Sequence, residues 1–197
     1  MPMASSRRRP ARIRLSLLTP RLALRLPRLP DVPRLLRYGN DPLVFGSLDT
    51  RHAHYKRSQV LEWAKRSGEA WTKGKTFDLV ITVREQGTFA GYVGLEVRDR
   101  DNGHGRIGYW LARPYWHQGY GSEAVSAVCE VAFTRLQLHR IDAEVFDFNA
   151  RSMTLLRRLG FKREGRTREI LHRNGRWHDG VAFGLLAKDF RPIPPSD

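Results

Sequence analysis

The stretch Ile107–Glu123, IGYWLARPYWHQGYGSE, constrains this chain more than any other. Tyr109, Trp110 and Leu111 suit a pleated, buried surface, so the first half reads as a strand. Arg113-Pro114 ends the ladder, because proline has no amide hydrogen to give it. Gln118-Gly119-Tyr120-Gly121-Ser122 then runs into Glu123-Ala124-Val125-Ser126-Ala127-Val128, which has a helical period. A strand, a short glycine turn and a helix start describe an anion cradle. Glycines let the backbone approach a ligand, while exposed amide hydrogens and the positive end of the helix dipole hold a phosphate or pyrophosphate. A plain tight connection is the competing reading. No Lys-Ser/Thr follows the glycines and G-x-G-x-x-G is absent, so neither a Walker loop nor a dinucleotide fingerprint is present.

The residues around the glycines decide between the two readings. The order G-Y-W-L, then Y-W-x-Q-G-Y-G-S-E-A, resembles the acetyl-coenzyme-A loop of the GNAT N-acetyltransferases, in particular their RimJ/RimL-type ribosomal-protein N-terminal branch. The wider pattern of that superfamily is Q/R-x-x-G-x-G/A. Trp116 stands at its first position here, a departure this branch commonly shows, with Gln118 beside the glycine. The resemblance implies that Leu111, Ala112, Arg113, His117, Gln118, Gly119, Tyr120, Gly121, Ser122 and Glu123 contact acetyl-CoA.

The chain has 197 residues, which suits one domain, and its 41% hydrophobic content suffices for a single core. The lone cysteine, Cys129, excludes a disulfide framework and a cysteine-rich zinc site. It falls on the apolar side of a helix expected over 119–136, as a small buried filler. No apolar run approaches the roughly 18 residues needed to span a membrane. LSLL is too short for a signal peptide's apolar region, so a reducing cytoplasm is the expected setting. No metal site is expected.

Net charge is +15, and residues 1–30 hold eight arginines and no acid. Residues 1–14 are expected to form a disordered basic tail, with the domain over 15–191 and a short tail over 192–197. An extended start, a weak polyanion contact, and an arm touching ribosomal RNA or an acidic protein are the three readings of the basic tail.

Arg21 to Leu29 alternates as a half-buried strand. Asp31 is expected to cap a short helix with Pro33 in its first turn, ended by Gly39-Asn40-Asp41-Pro42. A second helix is expected over 55–73. Thr76–Val83 and Thr88–Val97 form a hairpin about Glu85-Gln86-Gly87, and Arg140–Phe148 alternates after the cradle helix. Ala150–Leu159 is a short helix ended by Gly160, and two strands flank the turn Arg173-Asn174-Gly175-Arg176. The expectation is an α/β fold with a mixed, mostly antiparallel seven-stranded sheet and about four helices. The GNAT resemblance implies that its central strands splay apart. It also implies that the region between the first two helices roofs the acceptor pocket, offering Phe45, His52, His54 and Tyr55.

Asn149-x-x-Ser152 is the second constellation. Asn149 is a good N-cap, whereas Ser152 shares a helix stripe with Leu155, Leu156 and Leu159, where a hydroxyl needs a partner. The text that follows, L-x-x-L-G-F-K-x-E-G and then G-R-W-x-D, again resembles the N-terminal acetyltransferase branch. The resemblance implies that Asn149 holds the pantetheine arm and Ser152 sits beside the thioester sulfur, with Leu156 also at the cofactor. The reaction it implies is direct transfer of acetyl from acetyl-CoA to an amine. A backbone amide near Leu111 or Ala112 would hold the oxyanion, and Ser152 would assist the departing thiolate. Many relatives carry glutamate just before the I-G-Y strand. Arg106 stands there in this chain, and Glu96 is the substitute base, with Glu144 or water as alternatives. The expected acceptor is a protein N-terminal amine. A small-molecule amine (antibiotic, polyamine or amino acid) is the alternative, and a basic nucleic-acid-binding module the reading outside enzymes. A homodimer is compatible with the resemblance, and no membrane partner is expected.

Overall fold

The computed structural model describes residues 16–48, 54–173 and 175–193. The basic tail over residues 1–14, His52 and Asn174 lie outside the described residues. One eight-stranded sheet runs in the order β1-β2-β3-β4-β5-β6-β8-β7. Its strands are β1 (Ser16–Leu18), β2 (Leu22–Arg25), β3 (Thr76–Val83), β4 (Thr88–Asp99), β5 (His104–Leu111), β6 (Arg140–Phe146), β7 (Lys162–Arg173) and β8 (Arg176–Leu186). Every pairing is antiparallel except that of β5 with β6. The helices are α1 (Val32–Gly39), α2 (Pro42–Phe45), α3 (Arg57–Thr72), α4 (Tyr120–Thr134) and α5 (Ala150–Arg158). No helix among the described residues is long and apolar enough to cross a membrane.

The strand count is one higher than the sequence suggested, because the three residues of β1 are too few to display a period. The extra helix is α2. Pro42 reads as the end of α1, but Asp41 caps a new turn by accepting from the Leu43 amide at 3.0 Å, and Pro42 takes its first position. Asp31 does not cap α1 with its side chain. Its carboxylate accepts from the Arg25 guanidinium at 2.7 and 2.8 Å and from the Arg28 amide at 2.7 Å. The packed chain also extends past 191, since the Ile193 amide donates to Ser126 Oγ at 3.0 Å.

Strand alternation sends side chains to two faces. On one face Leu79, Ile81, Val93, Leu95, Ile107, Ile141 and Phe183 form the main core under α4, and Cys129 is fully buried there. On the other, Val80, Phe89 and Trp110 form a smaller core with Val32, Leu35, Val44 and Val60 of α1, α2 and α3.

The opening between β5 and β6 follows from their register. They pair only over His104↔Arg140, Gly105↔Ile141 and Arg106↔Asp142. Beyond Arg106 each strand stays with its other neighbour, β4 or β8, and the two part. Backbone edges left unpaired inside a sheet need other partners.

Candidate active site

A cavity of about 970 Å³ passes through this opening. Gly108–Leu111 of β5 and Ala143–Val145 of β6 border it. His117, Gly119, Gly121 and Ser122 lie at one end together with Asn149 and Ser152, while Val44, Ser47 and Tyr55 lie at the other.

The turn into α4 fits an anion. Gly119 caps the helix with φ 80°, and His117, two residues earlier, is also left-handed at φ 62°. That conformation is strained for a residue with a Cβ, and such strain concentrates at functional turns. The first helical hydrogen bond runs from the Glu123 amide to the Gly119 carbonyl at 3.1 Å. The amides of Tyr120, Gly121 and Ser122 precede it and have no intrahelical partner, and no side chain caps this end. The cradle is therefore open to a phosphate. Gly121 has a different reason to be glycine: a Cβ there would meet Leu155 Cδ1 at 3.0 Å and Leu111 Cδ1 at 3.4 Å, so its absence lets α4, α5 and β5 pack closely.

At the gap itself, the Ala112 amide donates to the Ala90 carbonyl of β4 at 2.8 Å. Antiparallel alternation then turns the Leu111 amide to the opposite edge, towards β6 and the opening. Of the two amides expected to serve an oxyanion, Leu111 is the one that faces the gap. The Leu111 carbonyl accepts from Trp116 Nε1 at 2.8 Å, and the Arg151 guanidinium lies 3.8 Å over the Trp116 ring. Trp116 thus ties the cradle loop to β5 and α5, which gives the departure from Q/R a structural role.

Across the gap, the Asn149 Oδ1 accepts from the Ser152 amide at 3.1 Å as the α5 cap, and Asn149 also borders the cavity. Ser152 Oγ lies 2.8 Å from the Tyr109 hydroxyl. Burial pushes the Tyr109 phenol well up, against a smaller opposing effect of Ser152. Tyr109 remains a neutral hydroxyl at working pH, and the pair can hold or pass one proton at the gap.

Several residues expected at the cofactor have their side chains engaged elsewhere. Glu123 accepts from Thr19 Oγ1 at 2.6 Å, the Arg21 amide at 2.9 Å and Arg21 Nε at 2.7 Å, so it braces the β1–β2 turn against α4. Gln118 donates to the Pro114 carbonyl at 2.7 Å and its carbonyl accepts from Arg21 at 2.9 Å. The Tyr120 ring packs beneath Arg21, leaving only its amide to the cradle. Arg113 reaches towards Asp41, 3.5 Å away. Leu156 is wholly buried in the core; its neighbour Leu155 borders the cavity instead. Helical geometry explains that exchange, because the core stripe of α5 passes through 156 and 159.

Glu96 borders the cavity, yet its carboxylate is about half exposed and lies 3.3 Å from Arg98. Glu144 pairs with Arg106 at 3.0 Å. Tyr55 borders the cavity, with Phe45 and His54 stacked behind it. Sequence reading missed Tyr109, Trp116, Arg151 and Asp78. Only Tyr109 and Trp116 carried a signal, as polar-edged aromatics within the central motif.

No group of three or more potential metal ligands exists among the described residues. The acetyltransferase (GNAT) domain family matches residues 21–162. An N-acetyltransferase, p20, of Bacillus licheniformis is 33% identical over 175 residues, covering 89% of this chain and 98% of its own. The ribosomal protein uS5-alanine N-acetyltransferase of Escherichia coli is 34% identical over 86 residues, 44% of each chain. The spermidine N-acetyltransferase of Vibrio cholerae, solved with CoA and spermine, shares the fold with a TM-score of 0.76 at 19% identity, over 86% of this chain and 97% of that one. An anion cradle, a parted pair of central strands and these relationships together place the chain in the GNAT superfamily, as an N-acetyltransferase that uses acetyl-CoA.

Proposed function

We propose that this N-acetyltransferase acts on a protein N-terminal α-amine, of the kind found on ribosomal proteins. The observation that carries this reading is that Glu96 and Glu144, which border the cavity, both stand beside arginines. Both carboxylates are thus shared with a guanidinium. That arrangement suits an acceptor that needs little help to lose its proton: an α-amine, whose ordinary pKa of about 7.7–8.0 leaves a useful neutral fraction, rather than a lysine near about 10.4. The similarity to a uS5-alanine acetyltransferase points the same way.

Acetyl-CoA supplies an acyl group activated as a thioester. In this reading the amides of Tyr120, Gly121 and Ser122 hold its pyrophosphate, with His117 and Gly119 shaping the turn, and Asn149 supports the pantetheine arm. The Leu111 amide donates to the thioester oxygen as negative charge grows there. Ser152, backed by Tyr109, gives a proton to the sulfur, and Glu96 takes the amine proton directly or through water. The lone cysteine is a poor covalent nucleophile, because the Cys129 thiol is fully buried and burial pushes its pKa well up.

The test is free-thiol release against N-terminal peptides, polyamines and aminoglycosides, with mass spectrometry locating the acetyl group. Transfer to the α-nitrogen of peptides is expected. Acetylation of polyamines or aminoglycosides alone sinks the reading and favours a small-amine enzyme.

A further inference from the structure

Asp78 of β3 carries the inference. It borders the cavity on the sheet face opposite α4. Its Oδ1 accepts from the Tyr92 hydroxyl at 2.5 Å and its Oδ2 from Trp63 Nε1 at 3.1 Å. Both donors are neutral. The other carboxylates that border the cavity stand beside cations: Glu144 by Arg106 and Glu96 by Arg98. Among the described residues Asp78 has no such partner. Space is kept for it by Gly94, its register partner on β4. A Cβ there would come within 2.0 Å of the Tyr92 hydroxyl and 2.9 Å of Asp78 Oδ1. Burial pushes the Asp78 carboxyl up, more than its hydrogen bonds to Tyr92, Trp63 and Thr76 bring it down, and nearby Glu96 adds to the rise. A desolvated carboxylate with only neutral donors is one positive charge short.

We propose that Asp78, held by Tyr92 and Trp63, is a subsite for a second positive charge on the acceptor. The proposal rests on the α-amine reading above and narrows it. Asp78 is in register with Gly94, and Gly94 with Gly108 of β5. Two strand spacings put the subsite on the order of 10 Å from the gap. An extended peptide advances about 3.3 Å per residue, and a lysine side chain reaches about 6 Å. With the α-amine at the gap, the cation is therefore a lysine or arginine at the second or third residue of the acceptor.

The experiment titrates peptides beginning Ala-Lys-Lys, Ala-Ala-Ala and Ala-Glu-Glu, which vary both positions, into the CoA-loaded protein by calorimetry. Wild-type protein should bind the lysine peptide about tenfold or more tightly than the glutamate peptide, the scale of a charge-assisted hydrogen bond. In Asp78→Asn that ratio should collapse towards one. Asp78→Ala is measured beside it, and retained CoA binding reports that each variant is folded. Equal affinities in the wild type, or a ratio that survives both substitutions, overturns the subsite. Thiol release with the same peptides, and with 1,4-diaminobutane, separates the two claims. A lysine peptide that binds through Asp78 while only the diamine is acetylated keeps the subsite and removes the α-amine reading. Peptides that are acetylated without regard to the second and third residues do the reverse.

Discussion

Ser152 and Tyr109 touch across the opening at 2.8 Å, from α5 and β5 respectively. Burial pushes the Tyr109 phenol far above neutrality, so it stays protonated at working pH, and in the proposed mechanism the pair acts as a donor to the leaving sulfur. A thiol with a pKa near 8.5 leaves readily. The expected loss in kcat for Ser152→Ala is therefore roughly 10- to 100-fold, at or below the low end for acid catalysis, with Tyr109→Phe smaller. Calorimetry on the same proteins should show CoA affinity changed far less; a fall confined to affinity would make Ser152 a packing residue. Arg25 and Asp31 set a different expectation. Burial by itself would raise the Asp31 carboxyl, but hydrogen bonds from Arg25 and the Arg28 amide outweigh it, and the net shift is downwards. A lowered carboxyl contributes stability that is present above its unfolded value, near about 3.9, and is lost as pH falls through the folded value. Asp31→Asn strands the Arg25 guanidinium and should cost about 3 kcal/mol at pH 7. Thermal melts of both proteins should converge below about pH 4. The serine was legible in the sequence because a hydroxyl on a leucine stripe is locally odd. Its partner was not, because 43 residues separate them and only the parting of β5 from β6 brings them together.

The turn Trp116–Ser122 is a small element whose backbone matters more than its side chains. Gly119 holds φ 80°, a conformation that costs roughly 1–2 kcal/mol for a residue with a Cβ and more for a β-branched one. Gly119→Val, a β-branched replacement, should therefore lower stability by about 2 kcal/mol or more and weaken CoA about tenfold or more by reshaping the amide cradle. Titration of CoA into the variant decides it; unchanged affinity would remove the pyrophosphate from this turn. The cradle was readable because strand, glycine and helix signals are all local. The engagement of the Glu123 side chain was hidden for the same reason. Glu123 follows the glycines directly, but Arg21, 102 residues away, claims its carboxylate. The Asp78–Tyr92 contact had no sequence signal at all, since it depends on the register of β3 against β4 and on the missing side chain of Gly94. The short elements failed on length: β1 shows no period in three residues, and α2 hid behind a proline read as a stop.

Across the whole molecule, positive charge is concentrated towards the N-terminus. Of the net +15, eight positive charges fall within residues 1–30, where there is no acid, and five of those arginines precede β1. Among the described residues, the elements from Ser16 onward form one eight-stranded sheet, two cores and a cavity lining. Deleting residues 2–14 is therefore expected to leave the melting temperature and CoA affinity of the enzyme unchanged. What the deletion does to the acceptor separates the readings of the segment. A basic arm that recruits an acidic protein or a polyanion acts mainly on encounter, so its loss should raise KM for that acceptor and leave kcat alone. The difference should fade with salt, because at 0.1 M the screening length is only about 10 Å. If the segment is no more than an extended start, the shortened enzyme should match the full chain with every acceptor at every ionic strength. The expected result is no change with short peptides and a modest rise in KM, about two- to fivefold at low salt, with acidic proteins. Kinetics with one acidic protein acceptor and one short peptide, each at two salt concentrations, resolve the alternatives. A shortened chain that fails to fold would contradict both and place residues 2–14 inside the domain.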